Sequence, residues 1–112
     1  KKISRLSMKK DSLYIEQIRD SIRKIRSFVG VMDQQEFFDD EKTQSAVIMQ
    51  LALIGELCKK LSSETKSSID LPWKEIIGFR DRAIHDYFNV DLNVVWGTVL
   101  SDLQEIEKKL KQ

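Results

Sequence analysis

The chain has 112 residues, which is enough for one domain around one core, and its hydrophobic (41%) and charged (33%) fractions are those of an ordinary globular protein. Nineteen basic and eighteen acidic residues leave a formal net charge of +1, which excludes a strongly basic surface over the whole molecule. The single cysteine excludes an intrachain disulfide and favours a cytoplasmic location, and the sequence contains no apolar run of membrane-spanning length.

The first ten residues, Lys1–Lys10, are basic and lack the apolar stretch of a signal peptide. We therefore expect a disordered lead-in, or residues added ahead of a native start at Met8. Asp11 or Ser12 is the predicted N-cap of the first helix, and Gly30 is its predicted end. Apolar residues at steps of three and four predict one buried stripe along this helix, formed by Ile15, Ile18, Ile22, Ile25 and Val29.

A short helical turn is predicted within the acidic segment 33–40, and a long second helix from about Glu41 to about Ser62. Val47, Leu51, Ile54, Cys58 and Leu61 form one apolar stripe on this helix, and a second, flanking stripe consists of Ala46, Met49, Leu53 and Leu57. A helix that is apolar over so much of its circumference must bury two faces. In so small a domain, we expect the second face to meet another subunit in a two-fold dimer.

Glu56 is the polar outlier in the apolar middle of this helix. Its neighbour Gly55 allows the close approach of another helix. Two interpretations of Glu56 stay open, namely an ion pair with Arg80 or Arg82 across the dimer and a solvated position at the edge of the helix.

The second half of the chain predicts two further helices. The segment 62–68 is polar and turn-like, and Pro72 stands where a first helical residue would, ahead of a helix that ends near His85. Asp91 is the predicted N-cap of the last helix, with Val90 and Val95 placed as a hydrophobic staple. Four main helices with short connections predict an all-α protein, an antiparallel four-helix bundle in a single domain, 1–112.

The chemically versatile residues concentrate in the segment from Phe79 to Phe88. Asp81 and His85 are four residues apart on one helix face, so Asp81 is expected to accept a hydrogen bond from one imidazole nitrogen and to orient the other. An imidazole can exchange a proton near neutral pH, and the guanidinium of Arg80 can hold a phosphate through two parallel hydrogen bonds. These two groups are a minimal set for cleaving a phosphodiester.

The only histidine of the chain limits this chemistry. Cleavage of RNA by its own 2′-hydroxyl commonly needs a base and an acid, and a two-fold dimer would bring two imidazoles to one cleft. One histidine and one cysteine cannot form a zinc site within one chain, and we expect no cofactor. On residue types alone, a histidine beside an aspartate at a helix end is most often a surface or capping residue.

The segment resembles the signature of HEPN domains of the HepT-like toxin group, which is an arginine, four residues, a histidine, one residue and a tyrosine. Arg80, His85 and Tyr87 stand at these positions, with the polar Asp81 directly after the arginine. The flanking sequences are also similar to the family, and they run through Leu51-Ala52-Leu53-Ile54-Gly55-Glu56, Leu71-Pro72-Trp73, Phe88-Asn89-Val90-Asp91 and Val95-Trp96. The resemblance extends from about residue 11 to about residue 110.

This resemblance implies an α-helical homodimer that cleaves RNA without a metal at the dimer cleft, as the toxin of a toxin–antitoxin pair. By the same resemblance, Arg80 holds the scissile phosphate and His85 acts as general base or acid. Tyr87 is expected to be the residue that a minimal nucleotidyltransferase antitoxin adenylylates. The supporting role of Asp81 is inferred from helical spacing and is not part of the resemblance. Two other functions remain open from the sequence. One is a helical binding subunit that presents substrate to a separate nucleotidyltransferase, and the other is a plain dimerisation module.

Overall fold

The computed structural model describes residues 5–111, with side chains from Met8 onward, and every regular element in this range is helical. The all-α prediction is therefore confirmed for the described residues. In chain order the elements are α1 (Arg5–Val29), α2 (Gln34–Phe38), α3 (Glu41–Lys60), α4 (Ser63–Ser68), α5 (Trp73–His85), a 3-10 turn (Tyr87–Asn89), α6 (Leu92–Gly97), a π-helical turn (Thr98–Asp102) and α7 (Leu103–Lys109). No helix within 5–111 is long and apolar enough to cross a membrane.

The predicted stripe of α1 forms one side of the core. Ile18, Ile22 and Ile25 are completely buried, and each such side chain contributes roughly 1.5–3 kcal/mol by leaving water. The predicted end of the helix is also confirmed, because Gly30 adopts a positive φ of 55°. The predicted start is wrong, since the helix already begins at Arg5. The remaining residues of the expected lead-in, 1–4, lie outside the described part of the chain.

Asp11, one of the two predicted N-caps, is instead a buried residue within α1. Its carboxylate accepts hydrogen bonds from the backbone N–H of Ser62 (3.0 Å), the hydroxyl of Ser62 (2.6 Å) and the hydroxyl of Thr65 (2.6 Å). Burial alone raises the pKa of this carboxyl, but these hydrogen bonds outweigh it and the net pKa lies below the ordinary 3.8. Asp11 thereby ties α1 to the junction between α3 and α4.

The lowered pKa of Asp11 predicts how its contribution to stability depends on pH. Replacing Asp11 by Asn should lower the free energy of unfolding by about 1–3 kcal/mol at neutral pH, because the charged acceptor of three hydrogen bonds is lost. Because the pKa of Asp11 is lower in the folded protein, its carboxylate stabilises the folded state fully at pH values above the ordinary pKa of 3.8. This stabilisation is lost as the pH falls through the pKa of the folded state. The difference between wild type and Asp11→Asn in urea unfolding should therefore shrink in acid. The exposed Glu16 on the same helix supplies the control Glu16→Gln, and an equally large effect there would contradict the prediction.

The long helix α3 lies between α1 and α5 and packs against both. Its first predicted stripe is buried, as expected, with Val47, Ile54 and Cys58 almost inaccessible to solvent. Burial raises the pKa of the Cys58 thiol to about 12, so this residue is an inert part of the core. On the second predicted stripe, Met49 and Leu53 stay exposed within the single chain.

Short capped helices form the connections on either side of α3. The predicted turn near residues 33–40 is the five-residue helix α2, which begins with a reciprocal capping box between Asp33 and Glu36. The segment predicted as a turn after α3 is the short helix α4, because the Ser62 hydroxyl caps it by accepting from the Thr65 N–H.

Helix α5 starts at an anchored tryptophan. The indole N–H of Trp73 donates to the carbonyls of Lys66 (2.9 Å) and Ile69 (3.1 Å), which fixes the entry of α5 against the preceding loop. Pro72 is the N-cap and not the first helical residue, so α5 begins at Trp73, one residue later than predicted.

The last predicted helix is present but is interrupted once. Asp91 caps α6 as predicted, by accepting from the Asn93 N–H, and the π-helical turn then joins α6 to α7. Trp96 packs against Phe37 of α2 with ring centroids 5.1 Å apart, which closes the core at this end.

Candidate active site

Helices α3 and α5 approach each other closely at Gly55. A Cβ atom at this position would lie 2.6 Å from Cβ of Arg80 and 2.9 Å from the carbonyl oxygen of Ile76. No residue other than glycine fits such a contact without a shift of α5. The expectation that Gly55 allows a close helix approach is confirmed, and this contact brings Glu56 beside Arg80.

The guanidinium of Arg80 lies between two carboxylates. Its Nε is 3.0 Å from Oε1 of Glu56, and its Nη1 donates a hydrogen bond of 3.0 Å to Oδ1 of Asp81. The Nε–H does not point at the Glu56 oxygen, so the first contact is an ion pair by distance and not an aligned hydrogen bond, and both of its atoms are shielded from solvent. Glu56 therefore pairs with Arg80, which one of the two interpretations predicted as a partner, but it does so within its own chain.

Asp81 does not have the partner that its spacing predicted. Its carboxylate accepts from its neighbour Arg80, and within 8–111 no hydrogen bond joins it to His85. The hydrogen bond from Arg80 lowers the pKa of Asp81, and the charges of Arg80, Lys59 and His85 act in the same direction. Asp81 is consequently ionised at neutral pH and bound to the arginine. The predicted contact was wrong because Arg80, adjacent in the chain and held in place by Glu56, presents a charged donor.

His85 is the last residue of α5, and its side chain is exposed. The helix ends here because the next residue, Asp86, leaves the helical conformation (φ −150°, ψ 50°) while its N–H still bonds to the carbonyl of Arg82. The imidazole thus lies at the open end of the helix, where an incoming molecule can reach it.

Tyr87 lies in the 3-10 turn that follows and returns to α3. Its hydroxyl lies 2.9 Å from the hydroxyl of Ser45, in a hydrogen bond in which either atom can donate. The ring meets that of Phe88 edge to face, with centroids 5.7 Å apart. Nothing in the sequence pattern singled out Ser45, because its partner is 42 residues away along the chain.

Between α3 and α5 runs a groove of about 200 Å³, to which Arg80, Glu56 and Tyr87 contribute their side chains. Its remaining lining is apolar, and it consists of Ile48, Met49, Ala52, Leu53, Ala83 and Ile84. Several large apolar side chains in and around the groove are exposed in the single chain, and these are Met49 (58%), Leu53 (42%), Ile84 (54%) and Phe88 (97%). We call this surface the α3–α5 face.

Arg82 lies on the opposite side of α5 from this groove. Its guanidinium carbon is 5.9 Å from the centroid of the Phe79 ring, and its side chain lines a second, largely apolar cavity of about 330 Å³ between α5 and the last helices. The structure therefore separates two arginines that are only two residues apart. Arg80 and Tyr87 line the first groove, Asp81 is bound to Arg80, and His85 is the exposed last residue of the same helix.

The chain belongs to the ribonuclease HepT-like family, whose model matches residues 18–112. A relative from Thermococcus cleftensis named "Probable ribonuclease HepT" is 37% identical over 100 residues, which cover 88% of this chain and 91% of that protein. Two other relatives carry provisional names as RNases. The one from Caldanaerobacter subterraneus subsp. tengcongensis is 34% identical over 94% of this chain and 95% of its own length. The one from Methanocaldococcus jannaschii is 35% identical over 88% and 85%. None of the solved structures matches this chain. The family predicted from the sequence motif is confirmed.

Proposed function

We propose that this protein is a metal-independent endoribonuclease that acts as a homodimer and serves as the toxin of a toxin–antitoxin pair. The observation that carries the proposal is the placement of Arg80 and His85 in a member of the ribonuclease HepT-like family. The guanidinium of Arg80 lies in the groove between α3 and α5, beside Glu56, and His85 is exposed at the end of α5 five residues later. A fixed guanidinium suits the binding of a phosphate, and an exposed imidazole suits proton transfer.

In this proposal, His85 takes the proton from the 2′-hydroxyl as that oxygen attacks the phosphorus. The bond to the 5′-oxygen breaks, and His85 of the partner subunit protonates this leaving oxygen. Arg80 binds the phosphate and stabilises the charge that grows on its oxygens. The products are a 2′,3′-cyclic phosphate and a 5′-hydroxyl, so the reaction consumes no water in this step.

The α3–α5 face supports the homodimer. Met49, Leu53 and Ile84 expose a continuous apolar surface around the groove, and such patches mark interaction sites. A two-fold axis through this face would cover them with the same residues of a second copy and would bring two copies of the Arg80–His85 pair together. Each subunit would contribute the antiparallel bundle that the sequence predicted.

A charged residue in this face should prevent the dimer from forming. We expect Leu53→Glu to be monomeric in analytical ultracentrifugation, at a concentration at which wild type is dimeric, because a buried unpaired charge is costly. The matched control is Leu100→Glu, since Leu100 is similarly exposed (55% against 42%) but lies on the π-helical turn, outside the groove. If wild type is itself monomeric, or if both variants remain dimeric, this face is not the interface.

The test of the proposed activity is cleavage of total RNA by the purified protein in excess EDTA. We expect wild type to cleave the RNA and to leave cyclic phosphate ends. Folded His85→Ala prepared in parallel should cleave more slowly by a factor of at least about 10². Equal activity of both proteins would indicate a contaminating nuclease. No activity in either protein, with wild-type Tyr87 shown to be unmodified by mass spectrometry, would favour the helical binding subunit instead.

Tyr87 is the proposed target of a nucleotidyltransferase antitoxin. Tyr87 is 40% exposed, and among the side chains of residues 8–111 its hydroxyl has Ser45 as its hydrogen-bond partner, so an enzyme can reach that oxygen. A nucleotide attached there would add negative charge and bulk beside Arg80. It would compete with RNA for the groove, which accounts for inhibition without any change of fold.

A further inference from the structure

Within the proposed nuclease, the two carboxylates on Arg80 differ in their surroundings. Glu56 comes from α3, and the atom that faces Arg80 Nε is shielded from solvent. Asp81 comes from α5 itself and is half exposed, with 52% of its side chain accessible against 35% for Glu56. One partner is thus part of the helix interface, whereas the other is the more exposed of the two.

We propose that Glu56 is a positioning residue that fixes the guanidinium of Arg80, while Asp81 occupies the place of the RNA phosphate and leaves it when substrate binds. An arginine fork can use its Nε edge and its two terminal nitrogens separately. Glu56 occupies the Nε edge, and Asp81 occupies Nη1. A phosphate that approaches from solvent meets the terminal nitrogens first, so it displaces Asp81 and not Glu56.

The backbone explains why Glu56 can hold this position. The contact at Gly55 leaves no room even for a methyl group between α3 and the base of the Arg80 side chain. This close approach of the two helices brings the carboxylate of the next residue, Glu56, beside Nε of Arg80. A rigid support of this kind confines Arg80 to one direction, and precise placement of a charged group is what accelerates a reaction.

The two carboxylates carry the same charge, so their different positions on Arg80, and not their charge, give them different effects on substrate. One guanidinium with two carboxylates has a net charge of −1, which repels RNA as long as both carboxylates remain at Arg80. Displacement of Asp81 leaves an arginine whose Nε is still held and whose terminal nitrogens are free for the phosphate. Removal of Asp81 should therefore strengthen RNA binding, whereas removal of Glu56 should slow the chemical step.

The experiment is single-turnover cleavage of a labelled RNA by the full chain in excess over substrate and in EDTA. The comparison is between Glu56→Gln and Asp81→Asn, because each variant removes one negative charge and one contact from the same arginine. For each variant, the experiment yields the maximal rate constant and the protein concentration at which the rate is half-maximal. For Glu56→Gln we expect the maximal rate constant to fall about ten-fold with little change in the half-maximal concentration. For Asp81→Asn we expect the maximal rate constant to stay within about two-fold and the half-maximal concentration to decrease.

Unfolding and sedimentation experiments on each variant distinguish a misplaced Arg80 side chain from a protein that no longer folds or dimerises. If Glu56→Gln does not fold, Glu56→Asp takes its place, since it keeps the charge but withdraws the carboxylate by one methylene, and a lowered rate constant is again expected. An unchanged rate constant in a folded Glu56 variant, or an equal decrease in Asp81→Asn, would overturn the inference while wild-type cleavage upholds the proposed function. No cleavage by wild type would overturn both.

Discussion

Replacing Arg80 by Ala should lower the maximal rate constant of RNA cleavage by at least about 10²–10³-fold, because the variant lacks the group that we propose to stabilise the phosphate charge. Arg82→Ala is the matched control. It removes the same chemical group two residues further along α5, but its guanidinium lies against Phe79 and faces the second cavity. We expect it to retain activity within about two-fold of wild type.

Initial rates on one labelled RNA, at equal concentrations of folded protein, measure both variants. Circular dichroism and sedimentation are needed for Arg80→Ala because it leaves Glu56 without its partner in a partly shielded position. Loss of activity in both variants to the same degree would point to a general effect of positive charge on RNA binding. Loss in Arg82→Ala alone would place the site in the second cavity and would refute the assignment.

Adding one methyl group at Gly55 should destabilise the protein, whereas adding it at Gly97 should stabilise it. For Gly55→Ala we expect a decrease of about 1–3 kcal/mol in the free energy of unfolding, because the new Cβ would lie 2.9 Å from a backbone carbonyl oxygen that cannot move freely. Gly97 has helical backbone angles and open space around the position of a Cβ. There the alanine should add about 0.5–1 kcal/mol, since it reduces the backbone entropy of the unfolded chain.

Urea unfolding followed by circular dichroism gives both values, provided that the transitions are two-state. Gly55→Ala should also lower the rate of RNA cleavage, because the shift of α5 that relieves the clash moves Arg80 with it. Gly97→Ala should leave the rate unchanged. A stabilised Gly55→Ala would mean that α3 and α5 pack less tightly than the structure has them.

The positions of the helices were largely predictable from the sequence, because apolar spacing reports which face of a helix is buried. The stripe from Ile15 to Val29 and the cap at Asp91 are local patterns, and both are confirmed. The start of α1 was not predictable. Asp11 has the residue type of an N-cap, whereas its actual partners are Ser62 and Thr65, more than fifty positions away.

The members of the candidate site were predictable as residues, but their contacts were not. The motif gave Arg80, His85 and Tyr87 from a short stretch of sequence. Helical spacing predicted a contact between Asp81 and His85, because residues four apart lie on one face of a helix. It could not predict that Arg80, which is paired with Glu56 of α3, would donate to Asp81 instead. The contact between Arg80 and Glu56 depends on how closely α3 and α5 approach. That distance is a property of the packed pair of helices and not of either sequence segment.

The candidate residues from Arg80 to Tyr87 follow one another on a single stretch of α5 and the turn after it. Insertions and deletions should therefore affect the site in different ways according to their position. One extra residue in the loop before Trp73 can be absorbed outside the helix. One extra residue between Arg80 and His85 would rotate the imidazole by about 100° around the helix axis relative to the guanidinium. Between Arg80 and His85, insertions and deletions should consequently be less well tolerated than substitutions.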